Sequence, residues 1–237
     1  MKTTEQILEE YGRFLLLRDA VPGWEVQCGE GRTALREKKL DLDWKEVDMK
    51  NLENPNFFQR LLGRTEEKQE KARTAYREAA AEYTREKRHL EGLEQKLTEM
   101  KQELSALEGA EEAWRSRQGE DISKELVRQN IAPAALQAAN LILEALEQAG
   151  EWMRVDARRR DVQQGNRKLE FLGLASGYAL RLVDYLALMG MDPGQQGGYL
   201  RYPDSYITGV TSEYKQLDRL NGAMDQVRQV RSNVKEV

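Results

Sequence analysis

Between Thr65 and Arg117, small or apolar residues recur as Ala72, Tyr76, Ala79, Tyr83, Leu90, Leu93, Leu97, Met100, Leu104 and Leu107. The steps alternate four and three, apart from one doubled step where Glu86 takes the expected position. That spacing places one narrow stripe along a helix and predicts a coiled-coil seam. Glu, Lys, Arg and Gln fill the intervening positions, which favours helix and keeps the other faces wet. An unbroken helix of this length would be about 80 Å long. The seam keeps its register across Gly92, so no turn is predicted there, whereas Gly109 is expected to weaken the rod, which should end near Gly119.

The chain has 237 residues, of which 33% are charged and 40% hydrophobic, a balance suited to an extended helical protein with much surface per unit of core. With 37 basic and 41 acidic residues the net charge is only −4, so no whole-molecule field points to nucleic acid or anionic lipid. Cys28 is the single cysteine, which rules out an intramolecular disulfide. No secretory leader is legible and no apolar run reaches the length of a membrane span, so the expected location is the cytoplasm.

Thr3 or Thr4 should cap a first helix bearing Ile7, Leu8, Tyr11, Phe14, Leu15 and Leu17, ended near Ala20 by Pro22 and Gly23. Residues 21–54 read as an irregular cap, with a short β-hairpin from Trp24-Glu25-Val26-Gln27-Cys28 turning at Gly29-Glu30-Gly31. Asn54-Pro55 is a helix start, followed by Phe57, Phe58, Leu61 and Leu62 on one side. Asp121 should cap a further helix, interrupted at Asn130 and Pro133. The stripe Ala135, Ala139, Ile142, Leu146, Ala149, Met153 is then expected to fold back along 65–117. A broadly apolar helix over about 167–190 reads as central, and a Gly- and Tyr-rich loop leads to a last helix carrying Ile207, Val210, Tyr214, Leu217, Leu220, Met224, Val227 and Val234.

Chemistry is hard to find. His89 is the only histidine, and Glu86-x-x-His89 matches the unit that di-iron bundles need twice, with no second copy in the chain. Read blandly, Glu86 interrupts the seam and sets register. Cys28 reads as an ordinary thiol. The glycines at 190, 194, 197 and 198 lack the Gly-Lys-Ser/Thr of a phosphate loop. Arg154, Arg158, Arg159 and Arg160 form the one basic cluster, without interleaved aromatics, so nucleic acid is not the expected partner.

The predicted fold is therefore all-α: an elongated antiparallel coiled-coil hairpin attached to a small helical bundle. Residues 1–63 would form the N-terminal helix, cap and short amphipathic helix, 64–162 the long hairpin, and 163–237 the helices completing the base. The predicted function is that of a non-enzymatic, cytoplasmic interaction or scaffold protein without cofactor or metal, acting on a protein partner or as a homo-oligomer. Its helix–helix interface would be Leu90, Leu93, Leu97, Met100, Leu104 and Leu107. Phe57, Phe58, Leu61, Leu62, Tyr199 and Tyr202 are candidate contacts to a partner or a membrane surface. The alternative is a peripheral membrane-binding or remodelling protein. An amphipathic segment ahead of a long charged hairpin, over about residues 55–162, resembles in layout the bacterial phage-shock and ESCRT-like families, and no family motif is matched residue by residue.

Overall fold

The computed structural model describes residues 2–53, 65–117, 120–159, 162–191, 200 and 202–236, and among these every regular element is a helix. In chain order they are α1 (Thr4–Glu53), α2 (Thr65–Ala106), α3 (Ala110–Arg115), α4 (Lys124–Arg159), α5 (Val162–Leu188), α6 (Pro203–Thr208) and α7 (Glu213–Lys235). All-α is what the periodicity predicted. The chain forms two compact units, one of residues 1–20 with 106–237, the other of residues 21–105.

In the second unit, the rest of α1 runs antiparallel to α2. Glu25 pairs with Lys101 at 2.6 Å, Arg32 with Glu94 at 2.8 Å and Lys38 with Glu82 at 2.6 Å, and Gln69 Nε2 donates to the Leu52 carbonyl at 2.7 Å. Residue numbers rise on one arm as they fall on the other. The expectation of a cap or β-hairpin over 21–50 is corrected here: these residues are helical throughout, Pro22 included. The physical reason is a second heptad stripe, Val21, Trp24, Cys28, Gly31, Leu35, Lys38, Leu42, Lys45, Met49 and Leu52, whose steps of three and four never falter. Burying that stripe on α2 outweighs the local stop signal.

The partner of α2 is corrected with it. Residues 121–162 do not supply the return arm; α4 packs on α5 and α7 instead. The hairpin of the chain is therefore 21–105 rather than 64–162, and Phe57, Phe58, Leu61 and Leu62 fall in the chain between its arms rather than ahead of them. Those four residues lie outside the described set, so the helix start at Asn54-Pro55 does too. The long helix ends at Ala106, earlier than predicted, where Gly109 takes φ 90° and redirects the chain into α3. A left-handed conformation of that kind is one that glycine adopts without steric cost.

In the other unit, α4 is central. Ala135, Ala139, Ile142, Leu146, Ala149 and Met153 are all buried, as the stripe predicted, with Ile131, Ala134, Ala138 and Ala145 beside them. So many alanines let neighbouring backbones come close, and at Gly12 of α1 an added Cβ would lie 2.2 Å from the Asn130 carbonyl oxygen. Ile7, Leu8, Tyr11 and Leu15 of α1, Leu172, Ala175, Ala179, Leu182 and Leu186 of α5, Ile207 of α6, and Leu220, Ala223, Met224 and Val227 of α7 complete this core. Thr3 and Gln6 form a reciprocal cap on α1: the Gln6 N–H donates to Thr3 Oγ1 at 3.2 Å and the Thr3 N–H to Gln6 Oε1 at 3.0 Å. At the far end of α5, Gly190 takes φ 66° and the Met191 N–H reaches back to the Leu186 carbonyl at 2.9 Å, a left-handed helix stop. The predicted last helix is divided: Asp204 sits in short α6, tied to Ser176 at 2.8 Å, and α7 starts afresh at Glu213.

Candidate functional site

The leucine seam is occupied by its own chain. Leu97 is buried with Val21 and Cys28, and Leu93, Met100, Leu104 and Trp24 pack around them. Leu90 is buried, and its side chain lies over Gly31, where an added Cβ would stand 3.2 Å from Leu90 Cδ1. Leu107 belongs to the turn after α2 and lines a shallow surface depression with Lys2, Gln6 and Glu10. Of the other candidate contacts, Tyr202 is 57% exposed ahead of α6, while Tyr199 lies outside the described residues. Cys28 is not in a turn; it is a buried seam residue of α1. Glu86 is half-buried at its seam position and His89 is exposed. Among the described residues no group of three His, Cys, Asp or Glu is placed to hold a metal ion. Arg154 is exposed, and the side chains of Arg158, Arg159 and Arg160 lie outside the described set.

Two features emerge that the sequence reading passed over. The first is inside the bundle. Asp19, fully buried, accepts from Arg181 Nη1 at 2.6 Å and from the Tyr185 hydroxyl at 2.6 Å, and Arg18 Nη2 donates to that same hydroxyl at 2.8 Å. Arg181 also lies over the Tyr178 ring and Arg18 over Phe14. Burial, and after it the Asp19 carboxylate, push the Tyr185 hydroxyl far above its ordinary range, so it stays protonated and serves as a donor. Every group of the cluster is engaged by another. The arrangement holds α1 on α5 in one register. The signal was present: Asp19 continues the stripe Leu8, Tyr11, Leu15 by a step of four, and a carboxylate on an apolar face demands partners.

The second is on the surface of α1, opposite its seam. Leu40, Trp44 and Val47 stand at i, i+4 and i+7, and are 55%, 69% and 48% exposed. Val26, two heptads earlier on the same face, is exposed as well. Lys38 and Lys45 belong to the seam, so the charges flanking the stripe are Glu37, Asp41, Asp43, Glu46 and Asp48 against Arg36, Lys39 and Lys50, an acidic excess. Lys39 pairs with Asp43 along the helix at 2.7 Å, and seam residue Lys45 reaches Asp41 at 4.0 Å.

Comparison with known proteins adds no constraint: no family model, curated protein or solved structure matches this chain.

Proposed function

We propose that this is a non-catalytic interaction or scaffold protein that works by helix-on-helix association, and that the outward face of α1 is where it meets a protein partner. The observation that carries this reading is Trp44. A tryptophan more than two-thirds exposed, flanked by leucine and valine at helical spacing, is the composition of an interface centre rather than of a solvated face. The leucine seam supports the reading differently from what the sequence suggested. Since α1 and α2 cover each other's seams, those leucines stiffen the arm and the back of α1 is left for association. The matching partner is an amphipathic helix, whose apolar stripe fits that of α1 and whose flanking charges are basic in excess.

The alternative of a membrane-binding protein loses its electrostatic support at this stripe, where five acidic residues outnumber three basic ones and an anionic bilayer would gain nothing.

A photo-crosslinking residue at Val47, expressed in cells, tests both readings. The expected product is one discrete protein adduct, mapped to a helical segment and lost in Leu40→Ser/Trp44→Ser while the far-ultraviolet circular dichroism is unchanged. Lipid adducts, together with flotation on vesicles of 30% anionic lipid, would replace the protein reading with the membrane one.

A further inference from the structure

The acidic, apolar face of α1 has its complement on the outward face of α2. At about 100° per residue, the residues between 74 and 92 within about 50° of the line opposite the α2 seam are Thr74, Arg77, Ala81, Thr84, Arg85, Arg88 and Gly92, all exposed and none acidic. Ala80, Ala81, Thr84, Arg85 and Arg88 line a shallow groove there. Among the described residues Arg77 and Arg88 form no ion pair, and Arg85 stands only in the field of Glu82, which Lys38 already holds at 2.6 Å. On α1, Glu37 forms no ion pair among the described residues, and Asp41 reaches Lys45 only at 4.0 Å. One face thus carries large apolar side chains edged by carboxylates, and the other carries small side chains among unneutralised guanidinium groups.

We infer that the Trp44 stripe of one copy docks on the Arg85 and Arg88 groove of a second copy, a partner assignment that rests on the reading of that stripe as an interface. Charge complementarity selects this occupant, and so does position along the arm. Ion pairs across the arm join residues whose numbers sum to between 120 and 126: Lys38 with Glu82, Arg32 with Glu94, Glu25 with Lys101. By that rule Trp44 lies level with residues 76–82 and Glu37 with residues 83–89. A second copy set alongside without sliding therefore brings its α1 antiparallel to this α2, with Trp44 at the level of Ala80 and Ala81 and Glu37 at that of Arg85 and Arg88. Glu37 and Arg85 are displaced the same way round their helices from the outward line, by about 50–70°, and an antiparallel pair brings such edges together. The small residues leave room for the indole, and the guanidinium groups beside it add cation–π attraction. Two α1 stripes packed antiparallel on each other would instead set Glu37 and Asp41 against acidic copies of themselves. Since the seams of α1 and α2 face each other, their outward faces point apart, and one copy offers both surfaces at once. The contact is heterologous, so association is open-ended.

The test is sedimentation equilibrium of the purified whole chain from about 1 to 200 µM. The average mass of the wild type is expected to climb with concentration past that of a dimer. Leu40→Ser/Trp44→Ser removes one surface and Arg85→Glu/Arg88→Glu reverses the other, and each should weaken self-association by about tenfold or more with circular dichroism unchanged. Mixed, the two variants should form a 1:1 dimer and nothing larger, because each supplies the one surface that the other lacks. A wild type that stays monomeric, a mass that levels off at a dimer, an Arg85→Glu/Arg88→Glu variant that associates like the wild type, or a mixture that stays monomeric overturns the inference. The reading of the Trp44 stripe as an interface fails separately: a monomeric wild type whose Val47 crosslinker still captures a different protein ends the second-copy assignment alone, and one that captures no protein ends both.

Discussion

Asp19 and Tyr185 meet through a 2.6 Å hydrogen bond although 166 residues separate them in the chain, and the tyrosine hydroxyl is the donor. With Arg18 and Arg181 this bond joins α1 to α5 through a carboxylate that has no access to water. Replacing such a cluster with apolar residues can be neutral, but breaking it one-sidedly is not. Asp19→Asn leaves two guanidinium groups facing a neutral amide. Their side chains are 35% and 39% exposed and can turn toward solvent, so the expected loss sits near the low end for a buried pair, about 2–3 kcal/mol. Tyr185→Phe strands one carboxylate oxygen and should cost about 1–2 kcal/mol. Urea midpoints at constant m-value measure both. A change under about 0.5 kcal/mol for Asp19→Asn would mean that the cluster does not clamp the helices.

The same tyrosine makes stability sensitive to alkali. Its hydroxyl is raised by burial first and by Asp19 second, so the native state keeps the proton at pH values where an unfolded tyrosine, near pH 10, has released it. Unfolding then releases a proton, and stability falls as pH rises. The contribution is fully present below about pH 10 and is lost as pH climbs through the folded value. Tyr11 and Tyr178 are raised by burial as well, so Tyr185→Phe should flatten the alkaline decline without abolishing it. Tyrosinate absorbance provides a second check: Tyr11, Tyr178 and Tyr185 should titrate later in the native protein than in urea.

How the arm's two halves differed in legibility follows from what interrupts each seam. Between residues 72 and 107 only Glu86 breaks the stripe, and a seam of ten residues tolerates one polar member. In α1 the seam runs through Gly31, Lys38 and Lys45, and Pro22 stands beside its first residue, so it reads as loop until a partner is supplied. Lys38 becomes acceptable only because Glu82 of α2 lies 2.6 Å away, and Gly31 because Leu90 needs the space. Local propensity cannot carry that information; the facing helix does. The bundle core in α4 was legible because its stripe has no polar member at all. The Asp19 cluster was not, because its partners are named only by long-range packing. The exposed stripe of α1 is hidden for a third reason: residues 21–54 read as irregular, and Leu40, Trp44 and Val47 share a face only within a continuous helix.

Glycine substitutions should separate close packing from open surface. At Gly12 an added Cβ would strike the Asn130 carbonyl oxygen at 2.2 Å, and a backbone atom cannot rotate aside. Gly12→Ala should destabilise by about 2–3 kcal/mol even though alanine favours helix by about 1 kcal/mol. At Gly92, in the middle of α2, the same addition meets nothing within 4 Å. Gly92→Ala should stabilise the arm by about 0.5–1 kcal/mol. Thermal unfolding of the two variants should therefore shift in opposite directions, and shifts of the same sign would refute the close contact of α1 with α4.

Cys28 should behave as a packed apolar side chain. It is 1% exposed and sits with Val21 and Leu97 in the seam. Reaction with an aromatic disulfide reagent should be slow in buffer and complete within seconds in urea, its native rate reporting opening of the arm. Cys28→Ser, which buries a hydroxyl in place of a thiol, should cost about 1–2 kcal/mol, and Cys28→Val less. Rapid native labelling would place this residue outside the seam.

Pro22 offers the sharpest test of how α1 is held. The helix passes through it without interruption, so the Arg18 carbonyl, four residues earlier, has no N–H to accept. An interior proline costs a helix about 3 kcal/mol, part of which is returned by the stiffer unfolded chain. If α1 stays helical at Pro22 through its contacts alone, Pro22→Ala should raise stability by about 1–3 kcal/mol with no change in the exposure of Cys28. The position is a telling one, since the division between the two compact units falls between Ala20 and Val21 and the Asp19 cluster is one turn away. A loss of stability in Pro22→Ala would mean that the missing hydrogen bond lets Arg18 and Asp19 reach α5, so that the proline is part of the clamp rather than a tolerated defect. Repeating the substitution in Asp19→Asn decides between the two: gains that add independently favour the defect, and a loss that vanishes when Asp19 is gone favours the clamp.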